Sequence, residues 1–329
     1  AGGRSNFIYD NHIGVDVTGQ FAIPNGIGVM LAGGAEFNRI GADDGRGNII
    51  SGNALHGVLI TDAGTDFNRV EANLIGVAGF TADGDLLPLC NGGSGVRIDG
   101  INNALTLFAT PGPARNTIGE SGGFSGNTIA FNARDGVTVA HGQANSILGN
   151  SIFENGLLGI DLNADGPTPN DGPGPNSPPD ADTGPNQLQN FPIITGVFFG
   201  RASVTINGFI QSVPGTGYEI EFFNSAAADP TGFGEGERFV GSTFVNTDAT
   251  GTATFTATFP IFAALPGAIW TATATTADDG FFETSEFGPA FDSDRPEGSI
   301  HGTKWDDLDG DGEFDDNEPG LPGVIIYLD

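Results

Sequence analysis

Between residues 6 and 162 the chain repeats itself, and the repeat leaves little choice of fold. Three stretches superimpose: "NIISGNALHGVLI" from Asn48, "NTIAFNARDGVTV" from Asn127 and "NSIFENGLLGIDL" from Asn150. Each reads N-x-I-x-x-N-x-x-x-G-[VI]-x-[LIV], and a shorter element, N-x-[IV], precedes them at Asn38, Asn68, Asn116 and Asn145. Apolar residues at every second position predict strands with one buried face, and the intervening Gly and Asn supply left-handed corners. Blocks this short cannot pair as hairpins with their own neighbours. They bury their apolar face by coiling, so that equivalent strands of successive turns stack in parallel and like residues form ladders. Asn48, Asn127 and Asn150 are therefore expected as structural ladder residues, each amide bonding to the next turn.

This half of the chain resembles the right-handed parallel β-helix of large bacterial surface proteins, a resemblance informative about fold and uninformative about activity. Two insertions interrupt the coil, "VDVTGQFAIPNGI" after Gly14 and "VAGFTADGDLLPLCNGGS" after Gly76. Both follow the same element, so both should emerge at one corner, two turns apart. With a third, "DGINNALTLFATPGPAR" from Asp99, they are expected to build a lateral face that contacts another molecule.

Beyond the coil the text changes. Residues 166–190 are rich in Pro, Gly, Asn and Asp and read as a wrapped connector whose acids and carbonyls offer Ca²⁺ a second site. Seven alternating stretches follow, from Ile193, Ser203, Tyr218, Arg238, Thr252, Ala268 and Phe281, and predict an antiparallel sandwich of immunoglobulin-like type over 191–297. The expected architecture is all-β: a β-helix over 1–165, the connector, the sandwich, and a partial β module over 298–329.

The last segment carries the one motif with defined chemistry. "DDLDGDGEFDDNEPG" fits the Ca²⁺ loop pattern D-x-[DN]-x-[DN]-G-x5-E through Asp307, Asp309, Asp311, Gly312 and Glu318. Ca²⁺ takes six to eight hard oxygens, and a wound loop turns positions 1, 3 and 5 inward about a glycine at position 6. Glu313 would offer its carbonyl, Asp315 would act directly or through water, and Glu318 would close the site. The flanks, "SIHGTKW" and "GVIIYLD", read as strands rather than helices. From Gly302 to Leu328 the plan resembles the opening of the B-type module of serine-aspartate repeat surface proteins, a resemblance that implies structural Ca²⁺. Such a module needs further strands, which leaves Val324, Ile325, Ile326, Tyr327 and Leu328 as an assembly edge where another copy supplies the missing partner head-to-tail.

Composition narrows the function classes. With 41 acidic against 11 basic residues the formal charge is -30, which opposes general affinity for nucleic acid. Cys90 is the single cysteine, so no intrachain disulfide braces the fold. No apolar run approaches the roughly 20 residues that span a bilayer, and the first residues lack the plan of a signal peptide, so a secreted form has lost its leader. Enzymes occur on β-helices, but here only Asp135, His141 and Asp161 fall on adjacent turns, without the acid and base blocks of polysaccharide lyases or hydrolases. The reading is a non-enzymatic, calcium-stabilised extracellular structural protein, a subunit of a surface filament, fibre or layer. The alternatives are a β-helix that binds or cleaves a surface polysaccharide, or an adhesin stalk.

Overall fold

A computed structural model of the chain describes residues 2–80, 85–100, 112–121, 125–172, 179–261, 269–277 and 282–293. The calcium-loop pattern expected at Asp307 to Glu318, the assembly edge expected at Val324 to Leu328 and His301 lie outside the described residues. Residues 1–293 belong to one compact unit.

The first half is a coil of five turns, each built from three short strands. The first turn holds β1 (Phe7–Ile8), β2 (His12–Ile13) and β3 (Val29–Leu31), and the second β4 (Arg39–Ile40), β5 (Ile49–Ile50) and β6 (Val58–Thr61). The third holds β7 (Arg69–Val70), β8 (Leu74–Ile75), an inserted hairpin of β9 (Val77–Phe80) and β10 (Leu86–Pro88), and then β11 (Val96–Asp99). The fourth has β12 (Thr117–Gly119), β13 (Thr128–Ala130) and β14 (Val137–Val139), and the fifth β15 (Ser146–Leu148), β16 (Ser151–Phe153) and β17 (Ile160–Leu162). They stack into three five-stranded parallel sheets, β1-β4-β7-β12-β15, β2-β5-β8-β13-β16 and β3-β6-β11-β14-β17.

The register explains the repeat. Ile13, Ile50, Ile75, Ile129 and Ile152 align in one column, and Ile50, Ile75 and Ile129 are fully buried. Each such side chain contributes about 1.5–3 kcal/mol on burial, so the coil gains stability turn by turn. The corners carry three asparagine ladders. In the second, Asn11, Asn48, Asn73, Asn127 and Asn150 follow one another, each backbone N–H and side-chain amide donating to the Oδ1 of the next at 2.8–3.1 Å. Asn48, Asn127 and Asn150 thus stand in a single ladder. Gly41 is held by a φ of 92° and a close approach: a Cβ there would lie 1.6 Å from the Glu71 carbonyl oxygen of the next turn. The two insertions both leave after strands of the second sheet, on the first and third turns, one with an antiparallel bridge Val15–Ala22 and the other as β9–β10.

The second half has two antiparallel sheets. One contains β18 (Ile193–Phe199), β19 (Ser203–Gln211) and β22 (Thr252–Pro260); the other contains β20 (Gly217–Ser225), β21 (Arg238–Asn246), β23 (Ile269–Thr276) and β24 (Phe291–Asp292). They enclose a shared core of Val204, Ile206, Ile220, Phe222, Phe255 and Trp270. The seventh strand is Phe291–Asp292, not the expected stretch around Phe281. Residues 282–287 make only one isolated bridge, Thr284 to Thr275, because their side chains are engaged by the coil.

That engagement closes the last turn. A parallel coil ends on unpaired N–H groups, each costly if buried without a partner. Glu235 accepts the N–H groups of Glu154 and Asn155 at 2.8 and 3.2 Å, and Glu221 accepts that of Gly149 at 2.9 Å. Glu286 takes those of Leu162 and Thr168, and Thr284 Oγ1 takes that of Ile147. Asn186, in the connector, extends the first ladder by accepting the Asn145 N–H at 3.0 Å. Phe223 and Phe287, edge to face at 5.3 Å, complete the apolar core of the coil. Among the described residues no helix is long and apolar enough to cross a membrane.

Candidate metal centre

Where the connector runs against the sandwich, three carboxylates converge. Asp171, Asp180 and Asp182 each place an oxygen within 4.8 Å of the others. The scaffold that brings them together is made of buried amides. Asn190 Nδ2 donates to the carbonyls of Asp171 and Gln211, both at 2.9 Å, and its Oδ1 accepts the Asp171 N–H at 3.1 Å. Asn170 pairs with the backbone of Phe191 in the manner of a strand, at 2.8 and 2.9 Å. Pro, Gly and Asn leave this segment no ladder of its own, so side-chain amides take the role of neighbouring strands.

Each acid is only partly satisfied. Asp171 Oδ2 accepts the Ala181 N–H at 3.0 Å. Asp180, at a left-handed φ of 57°, accepts from Ser212 Oγ, which is itself held by Gln189 and by Tyr218. Oδ1 of Asp180 and Oδ1 of Asp182 are buried and meet no hydrogen-bond donor. Burial pushes the Asp180 carboxyl up to about 7, with Asp171 and Asp182 adding to the rise. Asp182 is raised by burial first and by Asp171 second.

Three acids facing one another around two orphaned oxygens have two ways to settle: they share protons, or they share a cation. All the donors are hard carboxylate oxygens, with no His or Cys among them, which selects Ca²⁺ or a similar hard ion over zinc or copper. The three carboxylates provide up to six of the oxygens Ca²⁺ takes.

The other residues singled out in the sequence fall elsewhere. His141 Nδ1 lies 2.7 Å from Asp99 Oδ1, whose second oxygen takes Arg97. Asp135 instead accepts from Thr138 Oγ1 at 2.8 Å, with Asp135 and Asp161 1% and 4% exposed. Burial, with Asp135 nearby, pushes Asp161 up to about 7. The acids are thus covered and the histidine is turned to a different partner. Cys90 is exposed, and His56 accepts the Ser94 N–H at 3.1 Å. The Asp171, Asp180 and Asp182 set had no spacing motif to mark it. Its only trace in the sequence is acid density in a stretch without strands, where Asp165 reads the same as its neighbours.

A comparison with protein-family models finds no match for this chain, and a comparison with curated proteins finds none.

Proposed function

We propose that the chain is a non-enzymatic, calcium-braced structural part of an extracellular surface protein. The observation that carries this reading is the pair of buried, donorless oxygens on Asp180 and Asp182 beside Asp171. In this reading a Ca²⁺ ion there ties the connector to the end of β19, which Asn190 reaches at Gln211 and Asp180 at Ser212. The loop from Asp307 to Glu318 supplies a second Ca²⁺ site on its sequence pattern. In the same reading, copies join through the strand from Val324 to Leu328 into a filament or layer. The surrounding -30 charge favours divalent cations and keeps the unassembled chain soluble.

Calcium titration by calorimetry, with thermal unfolding before and after chelation, tests the metal sites. At a free Ca²⁺ concentration 100-fold above Kd, one site adds about 2.7 kcal/mol, or about 4–5 °C in Tm for a unit of this size. Asp180→Asn with Asp182→Asn should remove one equivalent, and Asp309→Asn with Asp311→Asn another. A wild-type chain that melts identically with and without Ca²⁺ would refute the calcium reading. Light-scattering mass in the same buffers tests assembly: a monomer in both conditions removes the filament.

A further inference from the structure

We propose that the loop leaving the last turn of the coil, from Asp161 to Gly166, is a further cation site, one that takes Ca²⁺ or a similar hard divalent ion. The choice of ion follows the calcium reading above, whereas the site is built from other residues. Its sequence, "DLNADG", reads D-x-N-x-D-G and repeats the first half of the pattern met at Asp307. Asp161 stands at position 1, Asn163 at 3 and Asp165 at 5. Gly166 stands at 6, where a φ of 94° makes the bend that the pattern reserves for glycine. Position 12 is Gly172, so the loop lacks the carboxylate that closes such a site.

The coil supplies one. Asp161 lies on β17 directly beside Thr138 of β14, and Thr138 Oγ1 donates to Asp135 Oδ2 at 2.8 Å. Neighbouring strands stand about 4.8 Å apart, so the two acids belong to one step of the coil, and the Asp135 charge adds to the rise that burial imposes on Asp161. Asp135 is 1% exposed and Asp161 4%, and Oδ1 of each is buried and meets no hydrogen-bond donor. Buried acceptors without donors are costly, and two of them on adjacent turns of one face point to a ligand that brings positive charge.

The loop is held ready for it. Glu286, 2% exposed, accepts the Leu162 N–H at 2.9 Å and the Thr168 N–H at 2.8 Å, so one side chain clamps both stems and lowers the entropic cost of binding. At the exposed mouth Asn163 Nδ2 donates to Asp165 Oδ2 at 2.8 Å, and a half-turn of that amide presents its oxygen instead. The donors offered are carboxylate oxygens of Asp135, Asp161 and Asp165, the Asn163 amide oxygen and the Pro167 carbonyl at position 7. All are hard oxygens, which favours Ca²⁺ over zinc or copper. An ion there ties the last two turns of the coil to the start of the connector.

The test is calorimetric Ca²⁺ titration of the full chain after chelation. In a background carrying Asp180→Asn, Asp182→Asn, Asp309→Asn and Asp311→Asn, one equivalent should still bind. Adding Asp165→Asn, an exposed and isosteric change, should weaken that equivalent at least tenfold with Tm in chelator unchanged, and adding Asp161→Asn should abolish it. Asp248→Asn, which removes an equal charge from an exposed turn of the sandwich, should leave it as it was. If the fourfold background folds poorly, Asp165→Asn in the otherwise unaltered chain should lower the stoichiometry by one. The two readings fail separately. A single equivalent in both the wild type and the fourfold variant refutes the sites at Asp180 and Asp309 and supports this one. A fourfold variant that folds yet binds no Ca²⁺, or an equivalent that survives both Asp161→Asn and Asp165→Asn, overturns the proposal whatever the wild type binds.

Discussion

The asparagine ladders make a contrast that can be worked out at two positions of one column. Asn73 sits in the middle of the second ladder, 1% exposed, and its Oδ1 accepts both the Asn48 N–H at 3.0 Å and the Asn48 side-chain amide at 2.8 Å. Replacement by Ala removes that oxygen and leaves the Asn48 N–H without a partner inside the coil, while the Asn48 amide keeps the Ile8 carbonyl at 2.8 Å; the Glu71 carbonyl loses the Asn73 amide as well. The carbonyl of Ile40 loses the Asn73 amide but still accepts the Glu71 N–H at 2.8 Å, so it is not orphaned. One unsatisfied buried N–H and one buried carbonyl that loses its donor, at about 1–3 kcal/mol each, predict a loss of about 2–6 kcal/mol. Asn11 is the same residue type at the exposed start of the same ladder. Among the described residues nothing donates to its Oδ1, and its backbone N–H keeps the bond to Asn48 after substitution. Asn11→Ala should therefore cost no more than about 0.5 kcal/mol. Urea unfolding of both variants, with m unchanged from wild type, gives the difference directly. Equal costs at the two positions, or a cost below about 1 kcal/mol at Asn73, would refute the ladder as a source of stability.

Other consequences follow from the same contacts. Burial pushes Glu221 and Glu286 up to about 8 and Glu235 to about 7, from an ordinary value near 4.5. A carboxyl raised on folding contributes stability in full below its unfolded value and loses it as pH rises through its folded value. Tm measured in chelator should thus fall from pH 5.5 to 8.5, and Glu221→Gln should flatten the profile; a rise with pH contradicts the assignment. Glu235→Ala strands the N–H groups of Glu154 and Asn155 and should cost about 2–6 kcal/mol by urea unfolding, whereas Glu237→Ala, half-exposed nearby, should cost less than about 1. Gly41→Ala meets the Glu71 carbonyl at 1.6 Å with φ at 92° and should lower stability by more than about 2 kcal/mol, while Gly45→Ala, also left-handed but in open space, should cost about 1 or less; equal effects at the two sites count against the close-approach reading.

Much of the coil was legible because its information is local and repeated. A period-two apolar block fixes which face is buried, and a recurring Asn fixes the corner, so Asn48, Asn127 and Asn150 could be placed before any coordinates. The alternating strands of the second half were legible for the same reason, with one exception. The stretch around Phe281 has strand-like alternation, yet Glu283, Thr284, Glu286 and Phe287 face the end of the coil and not a sheet partner. Nothing local distinguishes a side chain that pairs in a sheet from one that caps another element.

The candidate sites divide along the same line. The calcium pattern expected at Asp307 to Glu318 reads directly because its motif asks for every ligand from one stretch at a fixed spacing. The acids at Asp171, Asp180 and Asp182 come together only through Asn190 and Ser212, which belong to the junction with the sandwich. Sequence by itself determined the repeat, the buried faces and the sign of the charge, since each follows from neighbours along the chain. Tertiary structure decided which acids share a space, because charges interact through distance in space and burial, neither of which is written in their order.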